Sequence, residues 1–210
     1  MAATRPGSAQ VAVEVAPELP GFVLEALPLP AGADVRMVVD DARAALPHVA
    51  APGTMDVVVL DVFTGSDAPA HLTEASFYEE AAQLLSPDGV MVVNVGDDTG
   101  LEFFADQARV MRSVFADVWC LAERQLFTRE HAGNLILVGG LRPLPREWAE
   151  SFEAAGRIRR VCWMGRGWGN YLRSGDQGPA PTAGSAEHAN GCCCGTGPCP
   201  AVPSSTTLNV

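Results

Sequence analysis

The run Asp56-Val57-Val58-Val59-Leu60-Asp61-Val62-Phe63-Thr64-Gly65 constrains this chain more than any other stretch. Unbroken β-branched and leucine residues closed by a carboxylate and turn residues read as a buried parallel strand. A parallel strand needs a crossover helix, so the run commits the chain to βαβ architecture. Its carboxyl end delivers Asp61 to a loop, the place where open α/β sheets bind ligands.

The flanking segments fit that architecture. Gln10 to Val15 and Val35 to Val39 read as strands, separated by a weak helix over Pro17–Leu27 that Pro20 and Gly21 interrupt. Asp40-Asp41 opens a short helix through Leu46, with aspartate in the N-cap position. Leu72 to Leu85 reads as the best helix, capped by Thr73, with Phe77, Ala81, Leu84 and Leu85 as its apolar stripe. Ser86-Pro87-Asp88-Gly89 predicts a tight turn into a strand over Val90–Val95. A helix over Leu101–Phe115, strands at Val118–Ala122 and Leu135–Val138, and a helix over Pro145–Ala154 complete the alternation. A mostly parallel sheet with helices on both faces follows. Residues 1–156 are thus expected to form one Rossmann-like domain. Residues 157–210, rich in Gly, Pro and Cys, are expected to form an irregular, disordered tail.

Hydrophobic residues make up 48% and charged residues 19% of the 210 residues, a globular balance. The formal net charge of −11 argues against nucleic acid as a partner, because nothing basic gathers enough charge to hold phosphates. No apolar run approaches the roughly 20 residues of a membrane span, and no signal peptide is visible, so a cytoplasmic location is expected. His188, Cys192, Cys193, Cys194 and Cys199 lack paired C-x-x-C spacing, and no metal is expected.

Several motifs in order carry a resemblance. Asp56 to Gly65, then Ala68-Pro69-Ala70-His71-Leu72-Thr73, Phe77-Tyr78, Leu85 to Val90, Val93-Asn94 and Ala132 to Val138 resemble the spermidine synthase (polyamine aminopropyltransferase) family, in particular its actinobacterial spermidine-synthase-like proteins. The similarity runs from about Ala2 to Leu144. It implies an S-adenosylmethionine-dependent methyltransferase-like Rossmann fold and transfer of an aminopropyl group from decarboxylated S-adenosylmethionine to putrescine. It also implies that the first Rossmann strand and its Gly-rich loop are missing, so that the domain is N-terminally truncated. No G-x-G-x-x-G follows any strand here, in agreement.

The resemblance assigns residues. Glu14, at the end of the first visible strand, is expected to bind the ribose hydroxyls of the nucleoside. Asp41 is expected to contact the adenine amino group, although Asp40 stands where glycine is usual. Asp61 is the expected substrate-facing carboxylate, holding a protonated amine beside the reacting carbon. Thr64 stands where the family carries a second aspartate as proton acceptor, and a hydroxyl cannot take that role at neutral pH. The co-substrate is accordingly decarboxylated S-adenosylmethionine or S-adenosylmethionine, the partners a nucleoside and a polyamine, and a homodimer is left open. Two other readings stand beside this one: a class-I S-adenosylmethionine-dependent methyltransferase, and a non-catalytic binding or oligomerisation domain.

Overall fold

The computed structural model describes residues 5–62, 68–123, 126, 131–154, 160–163 and 207–209. In chain order the elements are β1 (Ala9–Glu14), α1 (Leu19–Ala26), β2 (Asp34–Val39), α2 (Ala42–Val49), β3 (Met55–Leu60), a 3-10 turn (Ala70–Leu72), α3 (Ala75–Leu84), β4 (Leu85–Asp97), α4 (Glu102–Val114), β5 (Asp117–Ala122), β6 (Gly133–Gly140), α5 (Glu147–Ala154), β7 (Arg160–Trp163) and β8 (Thr207–Asn209). The strands form one sheet in the order β2-β1-β8-β3-β4-β6-β5-β7. The first five of these run parallel, whereas β6 is antiparallel to both β4 and β5, and β7 is antiparallel to β5. This is a mostly parallel, Rossmann-type sheet.

Alternation along the strands divides the molecule into two layers. Val58 and Leu60 of β3 join Met91, Val93 and Val95 of β4 in the main core. Helices α2, α3 and α4 cover that core through Ala45, Leu46, Phe77, Ala81, Phe104 and Met111. On the opposite face Val57, Val92 and Ile136 pack beside Trp119, Val138 and the α5 residues Trp148 and Phe152. The strand expected to be buried on both sides is therefore sealed on one face and half-open on the other. Helix α1 buries none of its residues, and Phe22 and Leu27 stand 70% and 73% exposed.

Four local expectations change. Helix α2 continues to Val49 through an internal Pro47. Its second turn already has neighbours, and burial of Leu46 and Val49 outweighs one lost backbone hydrogen bond. Thr73 does not cap α3: its hydroxyl donates to the Ala70 carbonyl within the 3-10 turn, and Glu74 takes the N-cap position. The Ser86–Gly89 turn is absorbed into β4 as an irregularity, since Met55 pairs with Leu85 and Val57 with Val90. Gly89 is required there, because a Cβ would lie 2.7 Å from the Met55 carbonyl oxygen.

The fourth change is the largest. Arg160–Trp163 and Thr207–Asn209, both inside the segment expected to be irregular, are strands of the main sheet. The place beside β1 and β3, expected to lack a strand, holds β8. The cysteine cluster at 192–199 lies outside the described residues. Among the described residues no helix is long and apolar enough to cross a membrane, and no group of three or more side chains could hold a metal.

Candidate functional site

The parallel strands all point their carboxyl ends to one edge, and that edge is acidic. Glu14 ends β1, Asp40 and Asp41 follow β2, Asp61 follows β3 and Asp97 ends β4. The chain order reverses between β1 and β3, which makes that gap the topological switch point and the crevice where ligands bind in open α/β sheets. One strand separates β1 from β3, so the ends that carry Glu14 and Asp61 lie about 10 Å apart in the sheet plane.

Each acidic residue is held differently. One Glu14 carboxylate oxygen accepts from the Ala16 amide at 2.8 Å. Asp41 is the N-cap of α2, accepting from the amides of Arg43 and Ala44 at 3.0 and 3.1 Å, as its position before an apolar helix dictates. Its other oxygen lies 2.8 Å from His71 Nε2. Burial pulls the Asp41 pKa up, but the His71 contact and the two backbone amides outweigh it, and the net shift is downward. His71, half-exposed on the 3-10 turn, is thus a partner of the capping aspartate. Asp97 accepts from the Phe104 and Asp98 amides and fastens the start of α4.

Asp61 has a different setting. Asn94 Nδ2 donates to its Oδ1 at 2.7 Å, which fixes the carboxylate over the end of β4. Together they line a cavity of about 470 Å³ on the half-open face of the sheet. Glu123, after β5, and Asn134, on β6, supply its other polar walls, and Val59, Val92 and Ile136 form an apolar floor. Among the described residues, two carboxylates and no lysine or arginine line this cavity. Asn94 Oδ1 is buried and has no hydrogen-bond partner among the described residues, and such an acceptor favours a donor supplied by a ligand. The cavity therefore suits a cation with an aliphatic stem.

Of the residues singled out in the sequence, Asp61 lines this cavity, whereas Glu14 and Asp41 lie on the same sheet edge outside it. Thr64 lies outside the described residues. Tyr78 belongs to the core: it is fully buried between α3 and α4, its hydroxyl donates to Gln107 Oε1 at 2.8 Å, and burial pushes its pKa up. Asn94, Glu123 and Asn134 were not assigned roles from sequence. Asn94 carried a signal, being the one polar residue in the apolar run Val90–Val95. Glu123 carried none, because it reaches β4 only through the antiparallel β5–β6 and β6–β4 pairings, and Asn134, inside the Ala132–Val138 motif, comes opposite Gly96 of β4 by the β4–β6 pairing.

One ionic cluster ties the acidic edge to the helices. The Arg43 guanidinium donates to Glu80 at 2.6 and 3.0 Å, to Glu74 at 3.3 Å, to Ser76 Oγ and to the His71 carbonyl. The hydrogen bond from Arg43 holds the Glu80 pKa below its ordinary 4.5. Glu80 and Asp41 both have folded-state pKa values below the unfolded ones. Their contribution is present above the unfolded values and is lost as pH falls through the folded ones. The melting temperature is expected to drop between about pH 5 and pH 3, and Arg43→Met should flatten that drop by removing the Glu80 part. An unchanged pH profile in the variant would show that the cluster contributes nothing.

No family model matches the chain. Over 122 residues it is 30% identical to the polyamine aminopropyltransferase of Vibrio vulnificus (strain CMCP6), covering 58% of this chain and 38% of that protein. It is also 31% identical over 106 residues to the N-terminal histidine N-methyltransferase of Emericella nidulans, covering 49% of this chain and 19% of that protein. The chain thus spans less than half the length of these curated relatives. Among solved structures, a probable spermidine synthase from Corynebacterium glutamicum ATCC 13032 aligns with a TM-score of 0.70 at 26% identity, covering 90% of this chain and 69% of that one. A spermidine synthase in complex with the transition-state analogue AdoDATO aligns at 0.51 and 14% identity, covering 70% of this chain and 61% of that one, a likeness of fold.

Proposed function

The chain is spermidine-synthase-like in sequence and in its methyltransferase-like Rossmann fold, and from that premise we propose that it is an aminopropyltransferase-like protein that binds an aliphatic amine beside an S-adenosyl nucleoside. The observation that carries the reading is the cavity with two carboxylates, an unpartnered amide oxygen and no cation among the described residues. A protonated polyamine supplies what those walls lack: N–H donors, positive charge and a methylene stem for the apolar floor. The nucleoside is decarboxylated S-adenosylmethionine or S-adenosylmethionine. It lies along the strand ends, with Glu14 accepting from the ribose hydroxyls and Asp41 facing the adenine amino group. A nucleoside lying between Glu14 and Asp61 brings its sulfonium end toward the amine cavity.

Transfer at this site needs the amine nitrogen to lose a proton and attack the methylene next to sulfur. The carbon–nitrogen bond forms as the carbon–sulfur bond breaks, and the electron pair leaves on the neutral thioether. Asp61, oriented by Asn94, holds the ammonium group near that carbon. With Thr64 in place of an aspartate, Glu123 is the second carboxylate of the cavity and the group positioned to accept the proton.

A methyltransferase remains the second reading, favoured by the Emericella nidulans relative and by Thr64. Thermal melting tests both. At about 100 times its dissociation constant a ligand stabilises by roughly 2.7 kcal/mol. For a chain of this size that corresponds to a rise of about 5–10 °C. Decarboxylated S-adenosylmethionine with putrescine is expected to give such a rise and then an aminopropylated product. A shift with S-adenosylmethionine and a methylated product would support the methyltransferase. No shift with either nucleoside or with putrescine would leave a non-catalytic module.

A further inference from the structure

The centre of the sheet is completed from the far end of the chain. Strand β8 has three residues, yet it lies between two six-residue strands and pairs in parallel with both. Thr207 sits between Gln10 and Val57, Leu208 between Val11 and Val58, and Asn209 between Ala12 and Val59. Leu208 is fully buried, and it closes one apolar row across the sheet, Val11–Leu208–Val58–Met91. Without Leu208 that row is broken, and β1 and β3 face each other across an unpaired gap two strand spacings wide. The slot is therefore specific in direction, register and side chain: a parallel segment with an aliphatic residue aimed at α2–α4.

The fit is incomplete in a way that loosens it. Gln10 Nε2 and Thr207 Oγ1 are both buried, on adjacent strands at the same register, and neither has a hydrogen-bond partner among the described residues. Burial of one leucine and a short double ladder must offset these two orphaned groups and the ordering of the segment. Strands β7 and β8 are five spacings apart, about 24 Å, a distance that far fewer residues than 164–206 can bridge.

We propose that the groove between β1 and β3 is a strand-binding site for the chain's own C-terminal segment, held as an exchangeable ligand. The groove recognises Thr207-Leu208-Asn209 by parallel pairing and by the Leu208 pocket, and it accepts the same segment from solution when the tethered copy is out. Such β-augmentation draws its affinity from main-chain hydrogen bonds and its specificity from alternate side chains.

The test keeps the full chain through folding. A specific-protease site is inserted after Gly184, the folded protein is cleaved, and the products are separated by gel filtration. The C-terminal fragment is expected to stay with the body and to be displaced by about a hundredfold excess of a peptide spanning Ser204–Val210. The same peptide carrying Leu208→Asp should not displace it. Separation at once on cleavage, with β1 and β3 amides still protected from hydrogen exchange, would overturn the proposal. Retention against excess peptide would overturn it too, since the strand would then be a permanent part of the sheet. In the uncleaved Leu208→Asp chain, exchange at Val11–Val13 and Val57–Val59 is expected to quicken at least about tenfold while α4 keeps its protection. Equal protection in variant and parent would sink the idea, and a variant that fails to fold leaves the decision to the cleavage experiment.

Discussion

Asp61→Asn is expected to weaken amine binding by about 30- to 150-fold, the worth of a charge-assisted hydrogen bond of roughly 2–3 kcal/mol. The substitution keeps size and leaves the side chain's place over β4 intact. It also puts an amide where the Asn94 Nδ2 donor now finds a carboxylate at 2.7 Å. The new side chain can still accept through its carbonyl oxygen, so stability should change by less than about 1 kcal/mol. Loss of charge and preservation of fold are thus separable in one variant. Isothermal titration with putrescine checks the first, and thermal melting without ligand the second. Unchanged putrescine affinity in Asp61→Asn and in Glu123→Gln would mean that the cavity is not the amine site.

How far the sequence reached can be judged from particular residues. Asp41 was readable as a helix cap because capping is local: one short acceptor, two amides two and three residues on, and an apolar helix behind it. Asp61 was readable because a β-branched run ending in a carboxylate folds as little else than a buried strand with an acid at its tip. The helix expected over Leu101–Phe115 forms as α4, and Phe104, Ala108 and Met111, at helical spacing, are its buried face. Strand β8 was not readable. Three residues in a Ser- and Thr-rich context carry no period, and their extended conformation is imposed by β1 and β3 on either side. The fate of Ser86–Gly89 is similar, for turn chemistry yielded to the pairing partners available on β3. The cavity walls at Glu123 and Asn134 depended on antiparallel pairings that no local pattern announces. Local electrostatics and long apolar runs were visible, and neighbours supplied by distant strands were not.

Replacing Gly139 by valine is expected to lower the melting temperature by about 6–12 °C, corresponding to roughly 3 kcal/mol. Gly139 lies in β6 between Met91 and Val118, directly beneath α4. An added Cβ alone would stand 2.7 Å from Met111 Cε, 2.7 Å from Phe115 Cγ and 2.8 Å from Phe115 Cδ2. The methionine terminus can swing aside, but the Phe115 ring is buried at the end of α4 and has nowhere to turn. The helix must therefore lift from the sheet, and with it the Phe104 and Met111 side chains that seal the core. The cause is steric, so it can be relieved: in a Phe115→Leu background Gly139→Ala should cost at least about 0.5 kcal/mol less than in the parent, a coupling measurable in a double-mutant cycle. Strict additivity would show that the strain lies elsewhere. Because β6 also carries Asn134 and pairs with Asn94 through Ile136 at the strand start, the same lift should loosen the amine cavity. Putrescine affinity is then expected to fall in Gly139→Val even though the substitution lies at the far end of the strand.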